Sequence, residues 1–146
     1  MKIVFGAAAI VAGTLMLAQP AAAQTDTVQP CIAGPWMVFF AFDSDEITPQ
    51  AAAILDKAAA AYETCGQAQV KIAGHTDRKG IEQYNVGLSQ RMAMNVRSHL
   101  AGRGVPDGVM TTEAFGESRP LVDTKNDIRE PRNRRVEITF GPGSGW

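Results

Sequence analysis

Long hydrophobic runs are missing from this 146-residue sequence except near its start. Nothing further on offers the roughly 20 apolar residues that a membrane-spanning helix needs. Charge of one sign is missing too, since 14 Lys and Arg stand against 15 Asp and Glu. Without a basic field nothing grips a phosphate backbone, which argues against a nucleic-acid partner. Histidine is scarce, with only His75 and His99, and no His/Cys set with metal-ligand spacing is visible. Internal repeats are absent, and the 8 Pro and 14 Gly are scattered, which excludes collagen-like and low-complexity chains. What is present, 45% hydrophobic and 20% charged residues, suits one globular domain.

The apolar start reads as an address. Lys2 is followed by apolar or small residues over 3–17, and Ala21-Ala22-Ala23 offers small residues at the spacing a signal peptidase uses, so residues 1–23 are expected to be a secretory signal. A membrane anchor would need a longer apolar core. A lipoprotein would need cysteine at the first mature position, whereas Cys31 lies eight residues inside the cleavage point. Removing Lys2 leaves 13 basic side chains of the 14 against 15 acidic ones, too little positive charge for attraction to an anionic membrane. Export permits a disulfide, and the two cysteines, Cys31 and Cys65, are expected to pair.

In the remainder, residues 24–35 form a polar, proline-containing lead segment, 36–140 the folded domain and 141–146 a glycine-rich flexible tail. Residues 37–42, rich in aromatics, read as a buried strand. Thr48-Pro49 supplies a helix N-cap and a first-turn proline. The helix that follows, over 50–64, gathers Ile54, Leu55, Ala58, Ala59 and Tyr62 on one face and stops at Gly66. A second strand carries Val70, Ile72 and Gly74 in alternation with Lys71 and Ala73. Strand, helix and strand in this order make a right-handed parallel unit, which brings Cys31 and Cys65 to one edge. Tyr84, Leu88, Met92, Val96 and Leu100 recur every fourth position over 82–101, marking a second long helix. Residues 110–115 and 136–140 complete the strands, with a loop between them.

Four polar clusters fall at element ends: Asp43-Ser44-Asp45, Gly74-His75-Thr76-Asp77 with Gly80, Tyr84-Asn85, and the arginines of 129–135. The second leaves a strand at its carboxyl end, where crevices open in α/β sheets. The third opens a helix whose free N–H groups favour an anion. A carboxylate beside an anion hole suits a zwitterion.

These clusters, in the stretches Phe40-Ala41-Phe42-Asp43-Ser44-Asp45, Gly74-His75-Thr76-Asp77-Arg78-Lys79-Gly80, Tyr84-Asn85-Val86-Gly87-Leu88-Ser89, Gly116-Glu117-Ser118-Arg119-Pro120 and Asn133-Arg134-Arg135-Val136-Glu137-Ile138, resemble the OmpA C-terminal-like domain family, the peptidoglycan-binding module of envelope proteins. The resemblance implies an α+β fold, a βαβαβ-type sandwich with two long helices on one face of a mixed four-stranded sheet. It implies non-covalent binding of the peptidoglycan stem peptide through diaminopimelate, with no enzymatic activity and no cofactor, in support of envelope integrity. By motif position, Asp77 would take the ligand's ammonium, Thr76 and Asn85 would hydrogen-bond it, and Arg134 would face its carboxylate, a task suited to a planar guanidinium. The implied location is the periplasm, on the wall, with peripheral association with the outer membrane as an option.

One position departs from the family pattern. Where Leu-Ser-x-x-Arg-Ala supplies a carboxylate-binding arginine, this sequence reads Leu88-Ser89-Gln90-Arg91-Met92-Ala93. Arg91 is one residue off and points elsewhere at about 100° per residue. Arg91, Arg129 and Arg132 are candidates for compensation, and Met92→Arg is expected to tighten binding. The bland reading of Met92 is an extension of the apolar stripe. Asp43 and Asp45 have a bland reading as helix caps, and the arginine run as a solvated loop paired to Glu113, Glu117 or Glu130. If Asp77 serves only the ligand, Asp77→Ala should leave the thermal midpoint nearly unchanged. The alternative function is an envelope protein-protein interaction module in which peptidoglycan binding has weakened or been lost. A hydrolase lacks a catalytic constellation, since Ser44 or Ser89 with His75 has no third group.

Overall fold

The computed structural model describes residues 30–141 together with Gly6 and residues 13–19. Most of the expected leader, its cleavage point after Ala23, residues 24–29 of the lead segment and residues 142–146 of the expected tail lie outside the described residues. The elements are β1 (Trp36–Phe39), α1 (Pro49–Tyr62), β2 (Val70–His75), α2 (Glu82–Gly102), β3 (Met110–Ala114) and β4 (Arg135–Phe140). Short 3-10 turns lie at Glu63–Cys65, Asp107–Val109 and Pro131–Asn133. The sheet order is β1-β4-β2-β3, with β4 antiparallel to both neighbours and β2 parallel to β3.

α1 begins as its sequence dictates: Thr48 is the N-cap, its hydroxyl accepts the Ala51 N–H at 3.1 Å, and Pro49 opens the first turn. Asp43 and Asp45 are therefore not its caps. Leu55, Ala58, Ala59 and Tyr62 are buried on the sheet-facing side, while Ile54 is half-buried at its margin. Gly66 follows with φ of 64°, a backbone state that favours glycine. In α2 the buried stripe is Asn85, Leu88, Ser89, Met92, Ala93, Val96 and Leu100. Tyr84 departs from the expected stripe: it is exposed, and its ring stands at the mouth of a pocket. Both helices deliver their buried apolar side chains to a core shared with Val38, Val70, Ile72, Val136, Ile138 and Phe140.

Two features refine the expected topology. β1 and β2 run the same way, but β4 lies between them. Val136, Ile138 and Phe140 are all 2% exposed or less, and a strand this apolar on its inner face gains most from a central place. β1 also ends at Phe39 rather than at 42, because the chain turns at Asp43 with φ of 50°, a left-handed value that aspartate tolerates better than most side chains. Cys31 and Cys65 are joined, their Cα atoms 4.6 Å apart, tying the lead segment to the end of α1.

α2 sits hard against the sheet where β2 ends. A Cβ at Gly74 would lie 2.2 Å from the Ser89 carbonyl oxygen, so only glycine admits the helix at this distance. Ser89 Oγ accepts the Gly116 N–H at 3.0 Å, which pins the loop after β3 to the same helix. These contacts bring the carboxyl end of β2, the start of α2 and the loop after β3 to one place.

Candidate functional site

At that meeting point lies a pocket of about 210 Å³ lined by residues that include Phe42, Asp43, Thr76, Asp77, Lys79, Tyr84, Asn85 and Arg134. Its walls come from the turn after β1, the loop after β2, the first turns of α2 and the chain entering β4.

The floor is an ion pair. Arg134 Nη1 lies 2.8 Å from Asp77 Oδ2, with the two side chains 11% and 4% exposed. Asp77 Oδ2 also accepts the Glu130 N–H at 3.1 Å, and Oδ1 accepts the Lys79 N–H at 3.2 Å. Arg134 Nε donates to the Phe40 carbonyl at 3.1 Å. The pair is thus anchored to three loops, and both charges are already compensated inside the protein, which is what allows them to be buried.

Asn85 is the clamp of the site. Its Nδ2 donates to the carbonyls of Asp77 and Lys79, at 3.3 and 3.1 Å, and to Glu117 Oε2 at 3.0 Å. The Thr76 hydroxyl donates to the Asp77 carbonyl at 2.9 Å, and the Thr76 N–H to the Gly116 carbonyl at 2.8 Å. A second strap closes the far side, where Lys79 Nζ and the Gly80 N–H both reach the Asp127 carboxylate, at 3.1 and 3.2 Å. These donors, the Gly80 N–H first, hold Asp127 below the usual carboxylate range. Asn133, fully buried, exchanges two hydrogen bonds of 2.8 Å with the Val122 backbone and fixes the long loop that carries Arg134.

The rim is aromatic and charged. Tyr84 donates its hydroxyl to Asp43 Oδ1, which raises the phenol above its ordinary pKa. The Arg129 guanidinium stacks on the Phe42 ring, 3.6 Å from its centroid.

The structure therefore brings Thr76, Asp77, Asn85 and Arg134 to one pocket and leaves Met92 out of it. Met92 is 1% exposed and belongs to the apolar core, one turn along α2 from Leu88, which does line the pocket. Of the compensation candidates, Arg91 pairs with Asp45 at 3.1 Å beside the Tyr84 ring, and Arg132 is held by Glu130 at 3.0 Å. Arg129 reaches the pocket's edge through Phe42, and Arg91 touches it only through the Tyr84 ring. Asp43 and Asp45 serve Tyr84 and Arg91 rather than α1. Lys79 lines the pocket and was not singled out from the sequence, although it stands inside the Gly74 to Gly80 stretch. Among the described residues no group of three or more His, Cys, Asp and Glu is placed to hold a metal, and no helix is long and apolar enough to cross a membrane.

Fold and pocket together define a small α+β domain with a charged, loop-built recess at one end of its sheet. Residues 39–134 match the OmpA family, and the chain belongs to that family. Among its relatives, the outer membrane protein of Gluconacetobacter diazotrophicus is 38% identical over 115 residues, 75% of this chain but 30% of that protein. The peptidoglycan-associated lipoprotein of Haemophilus influenzae is 37% identical over 103 residues, 70% of this chain and 67% of that one. The chain thus spans less than a third of the first relative's length and about two thirds of the second's. The crystal structure of the peptidoglycan-associated lipoprotein from Burkholderia pseudomallei superposes with a TM-score of 0.67 at 29% identity, over 79% of this chain and 97% of that one. That structure shares the mixed four-stranded sheet with two helices.

Proposed function

We propose that this chain is a non-enzymatic peptidoglycan-binding protein of the cell envelope, which holds the stem peptide through the zwitterionic side-chain end of diaminopimelate. The observation that carries the reading is the buried Asp77–Arg134 pair on the pocket floor, in a chain whose relatives include peptidoglycan-associated lipoproteins. A ligand bearing an ammonium and a carboxylate matches this floor charge for charge: the ammonium meets Asp77, the carboxylate meets the guanidinium of Arg134, and the site keeps its neutrality throughout. Thr76 and Asn85 shape the pocket and offer hydrogen bonds, while Lys79 lines it with its ammonium held by Asp127. The domain reading that goes with it is a signal over 1–23, a lead segment over 24–35, the binding domain over 36–140 and a tail over 141–146, placing the protein on the wall in the periplasm.

Retention on purified sacculus tests this. Wild-type protein should sediment with sacculus and be released by a soluble diaminopimelate stem peptide. Arg134→Lys keeps a cation opposite Asp77 but loses the fork, and should be retained about tenfold less or worse. Failure of the wild type to sediment would refute the reading.

A second reading has its own observation. With Met92 sealed in the core, the family's pattern arginine has no counterpart in the pocket, so affinity for a carboxylate rests on Arg134. On that reading the domain is an envelope protein-protein interaction module, and sacculus retention is weak or lost while the fold persists.

A further inference from the structure

The sheet has a second face, away from the helices, and it is not the solvated surface that alternation would suggest. All six residues of β2 are buried, including Lys71, Ala73 and His75, which alternate with the core residues Val70 and Ile72. The loop after β3 folds over this face. Phe115 stacks on His75 with centroids 5.2 Å apart and planes at 15°, and the Arg119 guanidinium lies 4.1 Å from the Phe115 centroid. Beneath the loop is a pocket of about 260 Å³ lined by residues that include Lys71, His75, Phe115, Arg119, Arg135 and Glu137.

Its polar groups are incompletely used. Arg135 is 4% exposed; its Nε donates to Glu137 Oε1 at 2.8 Å and its Nη2 to the Arg119 carbonyl at 3.2 Å. Its Nη1 has no hydrogen-bond partner among the described residues. His75 is 2% exposed, and among the described residues neither ring nitrogen has a hydrogen-bond partner, a Glu137 carboxylate oxygen standing 3.9 Å from Nε2. Buried donors are nearly always satisfied, so an unpaired guanidinium nitrogen and an unpaired imidazole on two residues that line one pocket call for an acceptor. The surroundings are charged: Lys71, Arg119 and Arg135 line the pocket together with Glu137, and Glu113 lies 4.0 Å from Lys71. Burial, helped by Arg135, lowers the His75 pKa to about 4, so the ring is neutral near pH 7 and one of its nitrogens is a donor.

We propose that this pocket is a second binding site, specific for an oxyanion held by Arg135 Nη1 and the His75 N–H, with Arg119 closing over it. Phosphate, free or as the phosphodiester of a lipid headgroup, has the required chemistry: several acceptor oxygens and a negative charge suited to the Arg119 and Arg135 guanidiniums. The site lies on the other face of the sheet from the helices and shares no lining residue with the Asp77 pocket, so it stands whether or not the chain binds peptidoglycan.

The test is a titration of the full-length protein with inorganic phosphate at constant ionic strength, following the Arg135 side-chain and His75 ring nitrogen resonances by NMR. Saturable shifts at both are expected, absent with chloride. Arg119→Gln, a change at an exposed side chain, should weaken the phosphate affinity about tenfold with an unchanged thermal midpoint. Phosphatidylglycerol vesicles then separate the sources. Binding that inorganic phosphate competes away and Arg119→Gln weakens assigns the site to a lipid headgroup. Phosphate binding without vesicle binding assigns it to a free oxyanion. Shifts that do not saturate, that chloride reproduces or that Arg119→Gln leaves unaltered would overturn the proposal.

Discussion

An Asp77 that served only the ligand would leave the thermal midpoint nearly unchanged when replaced by alanine, and its surroundings give it a structural share as well. Its carboxylate accepts three hydrogen bonds, from Lys79 N, Glu130 N and Arg134 Nη1, while 4% exposed. Asp77→Ala removes all three and leaves the Arg134 guanidinium, 11% exposed, without its counter-ion. Breaking a buried pair from one side costs about 3 to 5 kcal/mol, most of it the stranded charge. For a domain of this size that lowers the thermal midpoint by roughly 10 to 15 °C. The double variant Asp77→Ala with Arg134→Met removes the stranded charge as well, so it should recover part of the loss, with a coupling of about 1 to 3 kcal/mol in a double-mutant cycle. Urea unfolding of the four proteins at neutral pH measures it. A single-variant loss below about 1 kcal/mol, or additive losses in the cycle, would refute the claim that the pair is buried and mutually dependent. Any binding defect of Asp77→Ala must accordingly be measured at a temperature where the variant is folded.

His75 makes stability fall with acid. Its pKa is lowered to about 4 in the folded protein from an ordinary 6.5, so the unfolded chain binds its proton first as pH drops. The contribution is complete above about pH 6.5 and is lost down to about pH 4, some 3 kcal/mol in all. In chemical unfolding, His75→Gln should lose about 2 kcal/mol less than wild type between about pH 7 and pH 5. Parallel curves would contradict the buried neutral ring. The Cys31–Cys65 bond closes a separation of 34 residues, so its reduction should cost about 3 to 4 kcal/mol by chain entropy. Free thiols in the non-reduced, folded protein would exclude the bond. Met92, 1% exposed in the core, should tolerate leucine at under about 1.5 kcal/mol and lose about 2 to 5 kcal/mol as alanine. Equal tolerance of both would remove it from the core.

What the sequence disclosed was mostly local. Thr48-Pro49, Gly66 and the fourfold spacing in α2 each act within a turn or two of chain, and their elements form within two or three residues of the expected bounds. The place of β4 between β1 and β2 was not legible, because it depends on which inner face is most apolar when three candidates compete. Alternation in β2 carries no sign that Lys71 and His75 are buried; a loop about 40 residues on covers them, a tertiary fact with no local signature. Tyr84 fits the apolar period of α2, yet the strand turn at Asp43 gives its hydroxyl a better partner at the rim. In the pocket, Asp77 and Arg134 were each reached through the family pattern. That they face one another across 57 positions could not be read from either segment. Met92 shows the reverse case: the stripe reading and the pattern reading conflicted at one residue, and packing claims it.

Whether the pocket floor reads a zwitterion is decided by calorimetric titration with two stem peptides. One carries diaminopimelate; the other carries lysine in its place, which keeps the ammonium and lacks the side-chain carboxylate. Saturable binding of the first is expected, with an affinity for the second lower by about ten- to a hundredfold, the worth of one charge-assisted bond to Arg134. Equal affinity for the two peptides, or no heat from either with folded protein in the cell, would contradict it.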